Sequence, residues 1–435
     1  MSRSSHLTSD PTTDRTRDLV GRDLAAVWHP FTQHAVWAAD EPLVVDRAQG
    51  VHLWDTDGKR YLDGVSSLWV TVHGHREPAL DEAIRRQLER VAHSTFLGLT
   101  HEPGIALAEA LLATAPDGLT RVFYAGDGSS AAEAAIKMAF QAAAQRGEHR
   151  PLFVSVKEGY HGDTLGAVSV GGIDTFHATY RPILLRTAQI PSPGVAGTQA
   201  ALAGLAEVLD QTVCAVVVEP MVQAAGGMLT HDAAFLQGVR AACDAAGARM
   251  VVDEVATGVG ATGRFWAVEH AGVSPDLLVC GKRVTGGYLP LSAVLASEDV
   301  YGSFLGAPAS GRTFFHGHTY TANPLACAVA LANLALMAER GTVAHAAAVG
   351  DRIGAALSEL SGTAQVRRVG TMTGIEVPSV GERTGFEVCR LARSRGVLIR
   401  PLGDVVVLMP PLGIGFDDLD ELLGVVIGCV KDTVG

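Results

Sequence analysis

The sequence predicts an α/β protein: a large unit around a mostly parallel sheet, with a smaller α+β unit drawn from both chain ends. Three observations carry this. From about residue 70 to 330, short strand-like runs alternate with Ala/Leu-rich helical runs. The strand runs are near-continuously apolar, as expected when both sheet faces are covered. Beyond residue 330 the pattern changes to brief strands and helices of a separate, smaller body.

Taken in order, residues 1–18 are polar and rich in Ser, Thr, Asp and Arg, with no apolar stretch. They read as a disordered lead-in and not a secretory signal. Residues 19–70 are assigned to the small unit; Val51 to Leu62 reads as a hairpin turning at Asp57-Gly58. Residues 71–330 form the large unit. Its strands are Arg121–Tyr124, Leu152–Val156, Cys214–Val218, Met250–Val252, Leu277–Cys280 and Ser292–Ala296. Its helices are Glu77–Ala92, Glu102–Thr114, Ala131–Gln145, Thr198–Asp210 and Asp232–Ala246. A long helix from Asn323 to Arg340 leads into the small unit's remainder, residues 331–435. That tail holds strands at Val366–Val377, Val397–Arg400 and Val405–Met409 and a helix from about Asp417.

Composition narrows the function. The 435 residues carry 34 Lys and Arg against 46 Asp and Glu, a net charge of -12, so a basic nucleic-acid or membrane-surface binder is excluded. Only 18% of residues are charged, which argues against long disorder. No apolar run approaches the ~20 residues of a membrane span. Six cysteines stand singly, without a CxxC, and read as buried thiols of a reducing, cytoplasmic compartment.

Four places could carry chemistry, and each has a plainer alternative. Lys282 follows a buried strand, where desolvation would lower its pKa and prepare it for Schiff-base chemistry; alternatively it snorkels out. Asp253 ends another buried strand, where a carboxylate needs a cation such as a protonated pyridine nitrogen; alternatively it caps a turn. Gly128-Ser129-Ser130 opens a helix and offers free N–H groups to a phosphate, or is an ordinary N-cap. Tyr160, in Tyr160-His161-Gly162-Asp163, could stack on a planar ring or sit in a surface turn. Gly258-Val-Gly-Ala-Thr-Gly263 fits a dinucleotide pattern but stands five residues beyond its strand, with Glu269 too close to serve as the ribose acid. It reads as a flexible loop. His73-Gly-His75 and His316-Gly-His318 lack the further ligands a zinc site needs.

In combination and order these signals resemble the class III pyridoxal-phosphate aminotransferases of fold type I, from about Trp28 onward. The sequence is Gly128-Ser129, then Tyr160-His-Gly-Asp, Glu219-Pro220, Asp253-Glu254, Lys282 with Thr285-Gly-Gly, and Thr319. Within that class Trp28-His-Pro-Phe31, Ser66-Ser-Leu-Trp69, Phe315-His-Gly-His and Ile399-Arg400-Pro-Leu-Gly are most similar to the diaminopelargonate aminotransferase family of biotin synthesis. The resemblance implies pyridoxal 5'-phosphate as cofactor, an amino donor (S-adenosylmethionine or lysine) and 8-amino-7-oxononanoate as keto acid. It also implies a homodimer with shared active sites, and neither nucleic acid nor membrane as partner. Lys282 would bond the cofactor aldehyde and shuttle the proton, and Asp253 would pair with the ring nitrogen. Gly128 and Ser129 would hold the phosphate, Thr319 would reach the phosphate of the neighbouring subunit's cofactor, and His318 before it would belong to the cofactor-binding set. Tyr160, Trp69, Leu68, Phe31 and the carbonyl of Gly317 would line the substrate channel, and Arg400 would hold the keto acid's distant carboxylate. Phe31, the Leu68-Trp69 pair and His318 are closer to the lysine-using branch, so a shift away from S-adenosylmethionine is expected. Ala261 stands where the family usually has Arg, which implies weaker docking or a different keto substrate. Another class III activity, on an ω-amine or amino acid, is the alternative.

Overall fold

The computed structural model describes residues 11–40 and 42–435. At its centre lies a seven-stranded sheet. Its order is Leu119–Ala125, Ser292–Ser297, Leu277–Cys280, Arg249–Asp253, Val213–Val218, Leu152–Val156 and Thr187–Ile190. Ser292–Ser297 runs antiparallel to both its neighbours; the other pairings are parallel. Val213–Val218 is buried at every residue, which is why it reads as an unbroken apolar run. Thr187–Ile190 escapes sequence reading because it is an edge strand with polar residues at Thr187 and Gln189.

Helices cover both faces of this sheet. Gly128–Gln145 lays an alanine-rich surface on one face, with Ala131, Ala135, Ala139 and Ala142 buried against Phe153, Val217, Val251 and Val279. The opposite face packs Val216, Val218, Val252 and Leu278 against residues such as Phe235, Leu236 and Trp266. A fully buried side chain of this size contributes about 1.5–3 kcal/mol by leaving water.

The two chain ends meet in a second body with its own core, including Leu62, Ile375, Leu408, Leu422 and Val426. One of its sheets joins Val45–Gln49, His52–Asp55 and Arg60–Asp63 to Val397–Leu398; the other joins Gln365–Val369, Met372–Glu376, Val405–Leu408 and Arg400–Leu402. The Val366–Val377 run is thus two strands, broken at Gly370 (φ 58°).

Two expectations need correction. The lead-in is helical over Pro11–Ala26; residues 1–10 lie outside the described residues. Its polar helix is tied down by charge and not by an apolar stripe: Arg15 pairs with Asp46, and Thr16 bonds Asp57. The Gly258–Gly263 segment is buried from Gly258 to Thr262, not a free surface loop. Its glycines permit close packing: a Cβ at Gly258 would lie 3.1 Å from the Trp266 ring.

Candidate active site

The reactive groups gather at the carboxyl ends of the sheet strands, where open α/β sheets place their ligands. Lys282 stands two residues beyond Leu277–Cys280, in a left-handed backbone conformation (φ 46°). Its amine does not snorkel out. The side chain is partly buried and lines a cavity, and desolvation pushes its pKa below the usual lysine value against the attraction of Asp253, with Arg283 adding to the lowering. Asp253 ends the adjacent parallel strand, in register with Val279, which brings it near Lys282.

Asp253 is 5% exposed, and each of its oxygens has one partner within the chain. One oxygen accepts the Val255 N–H at 2.9 Å; the other lies 2.8 Å from His161 Nδ1. Burial opposes charge on His161, but the hydrogen bond and charge of Asp253, with that of Glu219, outweigh it and raise the imidazole's pKa. Glu219 follows the Val213–Val218 strand and accepts N–H bonds from Tyr160 and Ala224, each at 3.0 Å. Burial pushes its carboxyl up to about 7. His161 and Glu219 are thus buried beside Asp253, and the sequence pattern assigns neither a role. The chain order held them in view, but nothing local says that the His161 ring reaches back to Asp253.

The Gly128–Gln145 helix begins beside this floor. Asp127 caps it, accepting the Ser130 N–H at 2.9 Å, while the Gly128 and Ser129 N–H groups belong to the unpaired first turn. Close approach dictates the glycines: a Cβ at Gly128 would meet Val255 at 2.7 Å, and one at Gly162 would meet Ser129 Oγ at 2.3 Å. Ser129 Oγ accepts the Thr164 N–H at 2.9 Å. Ser129, Tyr160, Asp253, Lys282 and Trp69 all line one cavity of about 250 Å³. Tyr160 donates its hydroxyl to Asp163 at 2.9 Å.

The cavity wall is strained. Ser66, Ser67 and Trp69 all take left-handed φ values (50°, 61° and 65°), each costing about 1–3 kcal/mol in a residue with a Cβ. The turn brings the buried Trp69 ring within 5.5 Å of Lys282 Nζ and leaves Leu68 half-exposed. Phe31 is exposed and packs edge-on against Phe176, which packs edge-on against Tyr160. Gly317, His318 and Thr319 are exposed. His318 turns toward the helix start, with its ring 3.4 Å from a Cβ built on Gly126. Arg400 is exposed, and no carboxylate lies within ion-pair distance of it among the described residues. Ala261 lines no part of this cavity. It is fully buried and its carbonyl accepts the Thr371 N–H at 2.9 Å.

Two buried nitrogens facing this region, His161 Nε2 and Trp69 Nε1, have no hydrogen-bond partner among the described residues. The donor set matches a flat, phosphorylated pyridine aldehyde: an amine of lowered pKa, a carboxylate with its own imidazole, and a helix start. Fold and site together thus define a pyridoxal-phosphate transferase of fold type I.

The comparisons narrow that class. The family model described as Aminotransferase class-III matches residues 34–430. The adenosylmethionine-8-amino-7-oxononanoate aminotransferase of Nitratidesulfovibrio vulgaris is 49% identical, over 96% of this chain and 82% of its own length. The protein of the same name from Aquifex aeolicus is 43% identical, over 93% and 95%. The crystal structure of the Methanocaldococcus jannaschii protein of that name superposes with a TM-score of 0.93 at 34% identity, covering 96% of this chain and 99% of that one. A thermostable (S)-enantioselective omega-transaminase from Thermomicrobium roseum reaches 0.92 at 32% identity, with 96% and 99% covered. The chain therefore belongs to the class III aminotransferases and is a pyridoxal-phosphate-dependent transaminase.

Proposed function

We propose that this enzyme transfers an amino group to 8-amino-7-oxononanoate, giving the 7,8-diamine on the route to biotin. The observation that carries the chemistry is a partly buried Lys282 amine, its pKa lowered by desolvation, sharing one cavity with Asp253. The substrate follows the names of relatives up to 49% identical over nearly the whole chain.

When bound, pyridoxal phosphate supplies an aldehyde for the incoming amine and an electron-accepting ring. This chain's residues do the rest. Gly128 and Ser129 hold the phosphate at the helix start. Asp253 keeps the ring nitrogen protonated, oriented by His161. Lys282 would take the proton from the donor's amine-bearing carbon; its lowered pKa favours the neutral amine that this task needs. In the second half-reaction Lys282 returns a proton to the keto acid's carbon, while Arg400 holds the distant carboxylate through its two-pronged guanidinium. Tyr160, Trp69, Leu68, Phe31 and the Gly317 carbonyl line the approach.

A homodimer completes this reading. Thr319 reaches a neighbouring subunit's cofactor, and the exposed Trp28, Leu97, Phe315 and Tyr320 support burial against a second copy. Six buried free cysteines support a reducing, cytoplasmic setting. A lysine donor is favoured over S-adenosylmethionine by Phe31, whose ring offers a polar donor no hydroxyl.

The test is growth: the gene restores growth without biotin to a strain lacking this step, and the purified enzyme aminates 8-amino-7-oxononanoate faster than simple keto acids. The reverse preference overturns the substrate. Single-turnover rates with each donor settle the donor, and a faster reaction with S-adenosylmethionine overturns lysine.

A further inference from the structure

Asp63 lies outside the catalytic floor, yet it is more completely committed than any other carboxylate near the cavity. It ends the Arg60–Asp63 strand and is 1% exposed. One oxygen accepts the N–H groups of Ser67 (2.9 Å) and Val65 (3.4 Å). The other accepts the Ser67 hydroxyl at 2.9 Å and lies 3.0 Å from His75 Nε2. His75 is itself pinned: its N–H and C=O form a two-bond bridge with Gly50, at 2.7 and 2.9 Å. Gly74 before it must be glycine, since its φ is 96° and a Cβ would lie 2.7 Å from the Gly50 carbonyl oxygen.

Four donors thus converge on one buried carboxylate: three from Val65 and Ser67, which lead into the substrate wall, and one from His75 beyond it. The backbone there has no intrinsic preference for its shape. Ser66, Ser67 and Trp69 are all left-handed, and Leu68 between them is extended (φ −162°). Such a shape persists only when its surroundings over-determine it. Ser66 adds a hydroxyl bond to the Met409 carbonyl at 2.7 Å, but Ser67, the residue whose twist sets the course of Leu68 and Trp69, is held through Asp63.

We infer that Asp63, backed by His75, is a positioning residue that fixes the Ser66–Trp69 turn so that Leu68 and Trp69 form the substrate wall beside Lys282. The inference rests on the proposed reading of Leu68 and Trp69 as that wall. Asp63 touches neither cofactor nor substrate; it sets substrate affinity by removing the turn's alternatives before binding.

Asp63→Ala, Asp63→Asn, Ser67→Ala and Trp69→Ala test it together. Amide exchange over residues 64–72 is read in the cofactor-free protein; steady-state constants and cofactor absorbance are read in the loaded enzyme. In Asp63→Ala, exchange of this segment is expected to quicken by about tenfold, and KM for the keto acid to rise about tenfold with kcat changed far less. Cofactor absorbance stays as in the wild type. Asp63→Asn keeps an oxygen for the two N–H groups and falls between, and Ser67→Ala shifts both readings the same way by less. Should Asp63→Ala fail to fold, these two milder variants carry the same comparison. Unchanged exchange, or a lower melting temperature with unaltered KM, overturns the inference. Trp69→Ala separates the two layers. If it raises KM and the Asp63 variants do not, the positioning role fails while the wall stands. If it leaves KM unchanged, the wall reading fails and takes the role of Asp63 in binding with it.

Discussion

The floor of the site and its rim are built on opposite terms. Asp253, His161 and Glu219 are buried and Lys282 partly so; all four stand at or just beyond strand ends of one sheet, with Asp253 and His161 paired within a single chain. Phe31, Leu68, Gly317, Thr319 and Arg400 are exposed, come from loops and from the second body, and make few contacts with one another. The floor is finished by folding; the rim waits for a substrate and, in the proposed dimer, for a second copy. The difference teaches that the reaction type is fixed by the sheet, while the choice of substrate is left to segments that a few substitutions can retune.

Three experiments press on that contrast. The largest effect belongs to the floor. Lys282→Ala is expected to lower kcat by at least about 10⁴-fold, since it removes both the tethering amine and the proton carrier, and to leave the fold intact. Turnover and cofactor absorbance check it, and a variant with wild-type turnover breaks the assignment. Next comes the rim. Arg400→Met is expected to raise KM for the keto acid by about 10- to 100-fold, with a smaller change for the donor and little in kcat. Equal losses in both half-reactions would mean that Arg400 serves the floor and that the contrast is drawn in the wrong place.

The smallest effect exposes what burial costs the floor. Burial pushes the Glu254 carboxyl up to about 7, against hydrogen bonds from Ala267, Val268 and Thr257. A folded-state pKa above the unfolded one makes this group's stability contribution full below about 4.5 and lost as pH rises through about 7. Relative to Glu254→Gln, the cofactor-free wild type should lose up to about 1.4 kcal/mol per pH unit across that window. Urea unfolding at pH 5, 6, 7 and 8 checks it. Wild-type stability that stays level or rises relative to Glu254→Gln as pH increases would show that Glu254 is ionised in the folded state.

The same contrast governs what the sequence could reveal. The floor was legible because burial leaves a local mark: an unbroken apolar run ending abruptly in Asp253, or in Gly281-Lys282, has few explanations. His161 and Glu219 were less so, because they acquire their meaning only when three strands lie side by side. The rim residues were assigned by resemblance, and their exposure carries no periodic signal that could have located them. The left-handed turn from Ser66 to Trp69 left no trace at all, since neither serine nor tryptophan announces such a backbone. Glycines misled in the other direction: Gly258 to Gly263 reads as slack, yet it is the missing side chains that let Trp266 and the Gly370 turn press against it.

One pairing sets the order in which a newly made chain can become an enzyme. The strand that leads to the phosphate-holding turn pairs with Ser292–Ser297, Ala125 opposite Ser292, and Leu62 finds its parallel neighbour only at Val397. A nascent chain emerging from the ribosome must therefore keep its first strands waiting through most of synthesis. A transcript cut short before Val397 would still encode Lys282 and Asp253, but its product would lack the strand beside Asp63 and the whole of the Arg400 edge.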